Sequence, residues 1–284
     1  MTDRQLSSEF ATAQTALYVP GDKPERFAKA CSSGAGFVII DLEDAVAPGN
    51  KVAARNKALE FLGAGTHVSM PVLVRINASG TPWFEDDLRG VNDSLQGAPG
   101  AGLGIMLPKA EAPDTVLAVR RSLHDGLALV PLIESALGLV NALEIARIPG
   151  TTRLAFGGLD YAADLGVDFS SPSLDYARMK LAAVSRASGI HPPLDSPSVA
   201  ISDTAQVEPE AVLANKIGLG GKLCIHPSQI PVVSKAFKPT DSEVALADKI
   251  LGTAHEGASM VDGEMIAPPV LERARNIIKR PPHR

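Results

Sequence analysis

The chain is poor in cysteine and contains no long apolar run. Only two of its 284 residues are cysteines, Cys31 and Cys224, and they lie far apart without a CxxC motif. This excludes a disulfide framework and is typical of a protein from a reducing compartment. The first residues lack the apolar core of a signal peptide, and no apolar run reaches the ~18 residues of a membrane span. We therefore expect a cytoplasmic protein with no membrane partner.

The sequence also lacks long clusters of basic residues and the glycine-rich motifs of nucleotide-binding loops. The net charge is −5 at pH 7, and no long cluster of lysine and arginine occurs, which argues against nucleic acid as a partner. Neither a GxGxxG motif nor a P-loop is present, so nothing supports a nicotinamide or nucleoside-triphosphate site. The chain is 45% apolar and 21% charged, the composition of a folded protein with a large core.

Short apolar runs recur along the chain, and each ends in polar or turn residues. Most are rich in valine, isoleucine and leucine without strict alternation, which is typical of parallel strands buried on both faces. Segments with helical spacing lie between them. The predicted strands are Ala16–Pro20, Gly36–Glu43, Pro71–Asn77, Gly104–Lys109, Ala128–Glu134, Arg153–Asp160, Leu194–Val199 and Gly221–Pro227. The predicted helices among them are Pro24–Ser33, Lys51–Leu62, Ser135–Ala146, Ser173–Ser188 and Thr204–Ile217.

This alternation of strand and helix favours βαβ units with a parallel sheet. Eight strands with helical crossovers predict a closed (β/α)8, or TIM, barrel, and the chain is near the roughly 250 residues that are typical of one. A doubly wound open sheet is the alternative. The seventh predicted strand fits least well, because Pro197 lies within it and Pro192 and Pro193 directly precede it.

Three regions are expected: an N-terminal tail (1–15), the barrel (16–239) and a C-terminal helical extension (240–284). The extension is predicted to contain the helices Ser242–His255 and Pro269–Lys279, with a turn around Met260–Gly263. It is too short to enclose a second core. We expect a lid, or an arm exchanged between subunits.

Polar residues follow the predicted strands, where active sites of such barrels form. Glu134 and Asp160 end consecutive strands, which are neighbours in a closed barrel. Two carboxylates that close repel each other unless a cation or a proton intervenes. Hard oxygen ligands without a histidine or cysteine cluster suit Mg²⁺. The alternative is that each carboxylate caps a helix or pairs with a surface lysine or arginine.

Other charged residues have two readings. Arg75 ends a strand after apolar residues, so it either binds a carboxylate or polarised oxygen of a substrate, or forms a buried salt bridge to Glu43 or Asp44. Lys23, Arg26 and Lys29 cluster near a helix N-terminus, which attracts phosphate groups, but each also suits a solvated helix face. Asp262 lies on a glycine-flanked turn that could close over a site or be an ordinary Asp-Gly turn.

Eight strings in a fixed order carry a family resemblance: LYVPG, IIDLEDAV, VRIN, LPKAE, PLIES, GGLDYAADLG, GGKLCIHPSQI and VDGEMI. From about Ala16 to the C-terminus, the chain resembles the citrate lyase β-subunit-like and malyl-CoA or citramalyl-CoA lyase group of the HpcH/HpaI aldolase superfamily. The resemblance implies a closed barrel and a homo-oligomer, either a trimer or a hexamer. It also implies Mg²⁺ on Glu134 and Asp160, and Arg75 in contact with the substrate.

The resemblance also assigns residues to a CoA substrate. It implies that Asp262 is a catalytic acid, often delivered by a neighbouring subunit, and that Tyr18 and Lys29, with Lys23 or Arg26, hold the CoA moiety. Asp41, Glu43 and Asp44 are expected to organise Arg75 and the water shell of the metal.

The expected activity is a Mg²⁺-dependent carbon–carbon lyase. It would cleave a 3-hydroxyacyl-CoA, such as citramalyl-CoA, malyl-CoA or citryl-CoA, to acetyl-CoA and a 2-oxo acid. VDGEMI favours a free acyl-CoA over a substrate carried on an acyl-carrier protein. The alternatives are a CoA-independent class II pyruvate aldolase, the citryl-carrier-protein lyase of a citrate lyase β subunit, a thioesterase, and a non-catalytic assembly subunit. The acyl group and the direction in the cell stay open.

Overall fold

The structure, a computed structural model, describes residues 10–64, 70–94, 102–201, 203–253, 260–261 and 264–279. The chain divides into two compact units, Met1–Ala236 and Phe237–Arg284. The first unit is a closed barrel of eight parallel strands in chain order, with the last strand paired back to the first. This confirms the predicted (β/α)8 barrel and excludes the open sheet.

The barrel strands are short and almost fully buried, as their runs of branched apolar residues predict. They are β1 (Thr15–Pro20), β2 (Phe37–Asp41), β3 (Val72–Arg75), β4 (Leu103–Leu107), β5 (Ala128–Ile133), β6 (Arg153–Phe156), β7 (His191–Asp195) and β8 (Gly221–Cys224).

Helices follow the strands. They are α1 (Phe27–Cys31), α2 (Lys51–Gly63), α3 (Phe84–Ser94), α4 (Pro113–Ser122), α5 (Ala136–Ala146), α6 (Gly158–Leu165), α7 (Pro172–Ser188), α8 (Thr204–Ile217) and α9 (Gln229–Phe237). Short 3-10 turns, Pro24–Arg26 and Pro48–Asn50, precede α1 and α2. None of the helices in the described ranges is both long and apolar enough to cross a membrane.

Local signals explain why several predicted helix bounds agree with the structure to within about a residue. The Ser135 side chain caps α5 by accepting a hydrogen bond from the Gly138 N–H at 3.1 Å. Ser171 caps α7 in the same way. That helix is terminated by the residue after it, Gly189, whose φ of 71° lies in the left-handed region that favours glycine.

Two predicted strand bounds were wrong in ways that matter for the site. β6 ends at Phe156, so Asp160 lies in the first turn of α6 rather than at a strand end. β7 spans His191–Asp195 instead of Leu194–Val199. Pro192 and Pro193 are tolerated in β7 because their carbonyls remain available: the Arg153 guanidinium donates to the Pro192 carbonyl, and the Gly220 N–H donates to that of Pro193.

Residues 10–14, which we assigned to the N-terminal tail, pack into the barrel. Phe10 is 1% exposed and meets Phe37 edge-to-face, with ring centroids 5.2 Å apart. Arg153, the first residue of β6, is fully buried and donates to the carbonyls of Phe10 (3.0 Å) and Ala13 (2.8 Å). The packed barrel therefore begins at residue 10, because Phe10 fills the interior and Arg153 binds the backbone that carries it.

The second unit contains two helices and a small hairpin. They are α10 (Asp241–Thr253), β9 (Met260–Val261), β10 (Glu264–Met265) and α11 (Pro268–Lys279), with β9 antiparallel to β10. Ala247 and Ile250 of α10 pack with Ala274 of α11 in a small apolar cluster of their own. The predicted helices of the extension are thus present, with bounds shifted by one or two residues.

Candidate active site

A cavity of about 360 Å³ is lined by residues at the carboxyl ends of the strands. One part of its lining is charged and the other is apolar, with Leu132, Leu159 and Leu223 among the apolar residues. The lining includes six of the predicted site residues: Tyr18, Asp41, Asp44, Arg75, Glu134 and Asp160.

Arg75 is held in one orientation by Asp41. Its Nε and Nη2 donate to the two oxygens of the Asp41 carboxylate at 2.7 and 2.6 Å. That carboxylate also accepts hydrogen bonds from the N–H groups of Glu43 and Ala45. The neighbouring strands β2 and β3 place the two side chains together, because Asp41 and Arg75 are paired in register. A paired, two-point contact of this kind fixes the plane of a guanidinium.

Two more carboxylates surround the same guanidinium. Nη1 lies 2.9 Å from Glu43 Oε2 and 3.3 Å from Asp44 Oδ2, so the predicted salt bridge exists together with the contact to Asp41. Burial raises the pKa of Glu43 to about 8, although Arg75 acts to lower it. The Tyr18 ring lies 4.9 Å from the guanidinium carbon, and burial raises the pKa of the Tyr18 phenol. Tyr18 is thus a neutral aromatic ring that makes a cation–π contact with Arg75.

Glu134 and Asp160 come together at one cation, the ammonium of Lys109. Lys109 Nζ lies 2.5 Å from Asp160 Oδ1 and 3.6 Å from Glu134 Oε1. The Lys109 N–H also donates to Glu134 Oε1 at 2.8 Å, with the backbone at a φ of 48° that is uncommon outside glycine. Burial raises the pKa of Glu134 to about 7, with Lys109 acting in the opposite direction. The pairing with a lysine, one of the two readings of these carboxylates, is therefore present.

Gly157 leaves room for the Glu134 side chain, and Gly158 lies against Ser196. A Cβ at Gly157 would lie 2.6 Å from both Cβ and Oε2 of Glu134. The Gly158 N–H donates to the Ser196 hydroxyl at 3.0 Å, which ties the start of α6 to the segment after β7. Asp160 follows in the same turn of α6.

The donor set of this site fits a hard divalent cation. Around Arg75 and Lys109 lie five carboxylates, from Asp41, Glu43, Asp44, Glu134 and Asp160, so negative charge is in excess. Glu134 and Asp160 can share one cation, as their common contact to Lys109 demonstrates. Within the described ranges, no three His, Cys, Asp or Glu side chains form a metal-binding group. A metal here would therefore take two carboxylates and complete its shell with water or substrate, as Mg²⁺ often does.

A second cavity, of about 380 Å³, adjoins the first. Tyr18, Pro20 and Ile225 line both, and the second is also lined by the basic residues Arg26, Lys29 and His226. Lys23 is exposed and is not among its lining residues. The helix α1, which begins after Arg26 and contains Lys29, has only five residues, so the side chains rather than a helix dipole supply the positive charge.

Some site residues could not be assigned from the sequence. Lys109 and His226 follow strands, but nothing in their spacing shows which carboxylate or cavity they meet. Ser196 carries no sequence signal of a site, and the string GGLDYAADLG contains Gly157 without showing which side chain it leaves room for. Asp262, the predicted catalytic acid, lies outside the described residues.

Comparison with known proteins agrees with this geometry. The model of the family described as HpcH/HpaI aldolase/citrate lyase matches residues 14–227. The chain belongs to this family. A citrate lyase subunit beta-like protein of Mycobacterium tuberculosis is 37% identical, over 93% of this chain and 94% of that protein.

Relatives with named activities are somewhat more distant. A (3S)-malyl-CoA thioesterase of Cereibacter sphaeroides is 31% identical, over 89% of each chain. The mitochondrial citramalyl-CoA lyase of Homo sapiens is 28% identical, over 95% of this chain and 86% of that protein. Among solved structures, CitE from Mycobacterium tuberculosis, in complex with magnesium, acetoacetate and coenzyme A, superposes with a TM-score of 0.79. It is 33% identical, and the match covers 95% of this chain and 98% of that one.

Proposed function

We propose that this chain is a Mg²⁺-dependent lyase that cleaves a 3-hydroxyacyl-CoA to acetyl-CoA and a 2-oxo acid. The observation that carries the proposal is the convergence of Glu134, Asp160 and Arg75 on one cavity. The activities named for the relatives support the same reaction class, and the magnesium and coenzyme A bound by CitE support its two ligands.

Glu134 and Asp160 would hold the metal. When bound, Mg²⁺ would act as a Lewis acid toward the hydroxyl and carboxylate oxygens of the substrate. Lys109 contacts the same two carboxylates, so its ammonium would have to give way to a metal bound there. Gly157 keeps the space into which the Glu134 carboxylate fits.

Arg75 would stabilise the oxygen that becomes the carbonyl oxygen of the 2-oxo acid. A guanidinium has five N–H donors; hydrogen bonds to Asp41 and Asp44 use three of them, and Nη1 also faces Glu43 at 2.9 Å. The second N–H of Nη2 can donate to a substrate oxygen from a fixed position, which is how oxyanion sites lower a barrier. Asp262 would give a proton to the enolate carbon of the departing acetyl group, or take one in the condensation direction.

The thioester half of the substrate would extend into the second cavity. Arg26 and Lys29 line it and suit the phosphate groups of CoA, and the exposed Lys23, directly before the 3-10 turn, would be a further contact. Tyr18 lies at the junction of the two cavities, where the thioester would pass.

We further propose that the protein forms a homo-oligomer, either a trimer or a hexamer, and that it is located in the cytoplasm. Exposed apolar side chains support a subunit interface: Leu137 and Val140 share one face of α5, and Tyr176 and Met179 share one face of α7. The free thiols of Cys31 and Cys224 agree with a reducing compartment.

The test is a substrate panel. We expect the protein to release a 2-oxo acid and acetyl-CoA from one of citramalyl-CoA, malyl-CoA or citryl-CoA with Mg²⁺, and to stop when EDTA is added. Glu134→Ala should remove at least ~99% of this activity, since ligands of a catalytic metal are essential to it. Free CoA without a 2-oxo acid would instead identify a thioesterase, and turnover unaffected by EDTA would contradict the metal site.

A further inference from the structure

Lys51, the first residue of α2, is a buried ammonium group with no part in the mechanism above. It is 6% exposed. Its Nζ donates to the carbonyl oxygens of Leu42 at 2.9 Å and Glu43 at 2.6 Å. In the described part of the chain, its hydrogen-bond partners are thus backbone carbonyls rather than a carboxylate. A buried cation without a counter-ion is costly, so these contacts must outweigh a considerable loss of hydration.

Lys51 also touches the segment that follows β3. Its Nζ lies 5.5 Å from the centre of the Trp83 ring, a cation–π contact with the single tryptophan of the sequence. Trp83 directly precedes α3. One ammonium therefore joins the segments that follow β2 and β3, the two strands that carry Asp41 and Arg75.

The two carbonyls lie within the acidic segment 41–45, which surrounds Arg75. Within this segment, Glu43 and Asp44 meet Nη1 of Arg75 at 2.9 and 3.3 Å. The N–H groups of Glu43 and Ala45 donate to Asp41, whose carboxylate holds the other edge of the guanidinium. A shift of the Glu43 backbone would therefore move the partners of Arg75 on both edges at once.

We propose that Lys51 is a positioning residue for Arg75. It holds the acidic segment 41–45 by two carbonyls, so that the guanidinium stays directed at the cavity without Lys51 touching the substrate. This inference rests on the proposed function in so far as Arg75 acts on the substrate. The contact itself can be tested without any activity.

The kinetic test compares Lys51→Met with Lys57→Met, the same substitution on the same helix. We expect Lys51→Met to lower kcat by about tenfold or more with KM for the acyl-CoA changed by less than about threefold, since small misplacements of a catalytic group act on the transition state. Lys57→Met should leave both parameters unchanged. An unchanged kcat in Lys51→Met, an equal loss in Lys57→Met, or a rise in KM alone would overturn the proposal.

A second variant covers the case in which Lys51→Met does not fold, and Trp83 fluorescence covers the case in which the protein has no lyase activity. Should Lys51→Met not fold, Lys51→Gln keeps an N–H donor for the carbonyls, and we expect a smaller fall in kcat with the same constant KM. Trp83 emission reports on the contact even if wild-type protein releases no 2-oxo acid, the result that would refute the proposed function. Removal of the ammonium should change this emission in the Lys51 variants and not in Lys57→Met. Identical emission in all of them would overturn the proposed contact.

Discussion

At the residue scale, Gly157 determines where the Glu134 carboxylate can lie. Its φ of −101° is open to any residue, so the glycine is needed for space and not for backbone conformation. The missing side chain matters because a Cβ would fall 2.6 Å from Glu134 Oε2, closer than packed atoms approach. The position of Glu134, a proposed metal ligand, therefore depends on the absence of a side chain at Gly157, in the loop after the next strand.

Gly157→Ala should weaken Mg²⁺ binding by about 10-fold to 100-fold, the range typical of changes just outside a metal's ligands. The added methyl group would overlap Glu134 and force its side chain out of its present position. Titration of the protein with Mg²⁺ in a calorimeter measures this without substrate. Gly63→Ala is the control, because a Cβ there has no neighbour within 4 Å. Wild-type Mg²⁺ affinity in Gly157→Ala would show that Glu134 does not bind the metal in this position.

At the element scale, the start of β6 and residues 10–13 depend on one another. The fully buried Arg153 guanidinium donates to the carbonyls of Phe10, Ala13 and Pro192, and thereby links the N-terminal residues to β6 and β7. These contacts satisfy backbone oxygens that would otherwise be buried without a donor. A charged residue at the start of a barrel strand is here part of the packing, at the end of the strand away from Asp160.

Arg153→Ala should lower the free energy of unfolding by roughly 3 kcal/mol or more, because it leaves a cavity and several unpaired carbonyls. Urea denaturation followed by circular dichroism measures the change. Arg121→Ala, at an exposed position on α4, should stay within about 0.5 kcal/mol of wild type. Equal stabilities for the two variants would mean that residues 10–13 do not contribute to the stability of the barrel.

At the scale of the whole molecule, the proposed reaction uses both units of the chain. Arg75 and the proposed metal ligands, Glu134 and Asp160, belong to Met1–Ala236, whereas Asp262 belongs to Phe237–Arg284. The proposed homo-oligomer would allow one subunit to supply Asp262 to the barrel of another. In that arrangement, subunit assembly would be a condition for catalysis.

Asp262→Asn should keep Mg²⁺ and substrate binding but lose about tenfold or more in kcat, the usual contribution of a general acid or base. If the acid crosses between subunits, mixing Asp262→Asn with Glu134→Ala and exchanging their subunits should restore activity, because some sites regain both native residues. No recovery after exchange, confirmed by native mass spectrometry, would mean that each subunit uses its own Asp262. Full activity of Asp262→Asn alone would remove this residue from the mechanism.

Much of the fold could be predicted because the sequence features that define strands and helix ends lie within the elements themselves or directly beside them. Runs of branched apolar residues identify strands buried on both faces, and capping serines and a C-terminal glycine delimit helices such as α5 and α7. The predicted bounds of β7 were wrong because prolines argue against a strand in the sequence. The structure forms the strand nevertheless, since the carbonyls of Pro192 and Pro193 accept hydrogen bonds from Arg153 and Gly220. Asp160 was assigned to a strand because the apolar run continues past the point where β6 ends.

The sequence by itself determined the barrel, the family and the chemical types of the site residues, because these depend on residue order and hydrophobic pattern. Only the tertiary structure decided which charges meet. Lys109 joins Glu134 to Asp160, Asp41 fixes Arg75, and Lys51 reaches the carbonyls of Leu42 and Glu43. Such contacts join residues on different strands and helices, and they follow from the closure of the barrel. The physical reason is that electrostatic and packing energies depend on distances in space, which separation along the chain does not give.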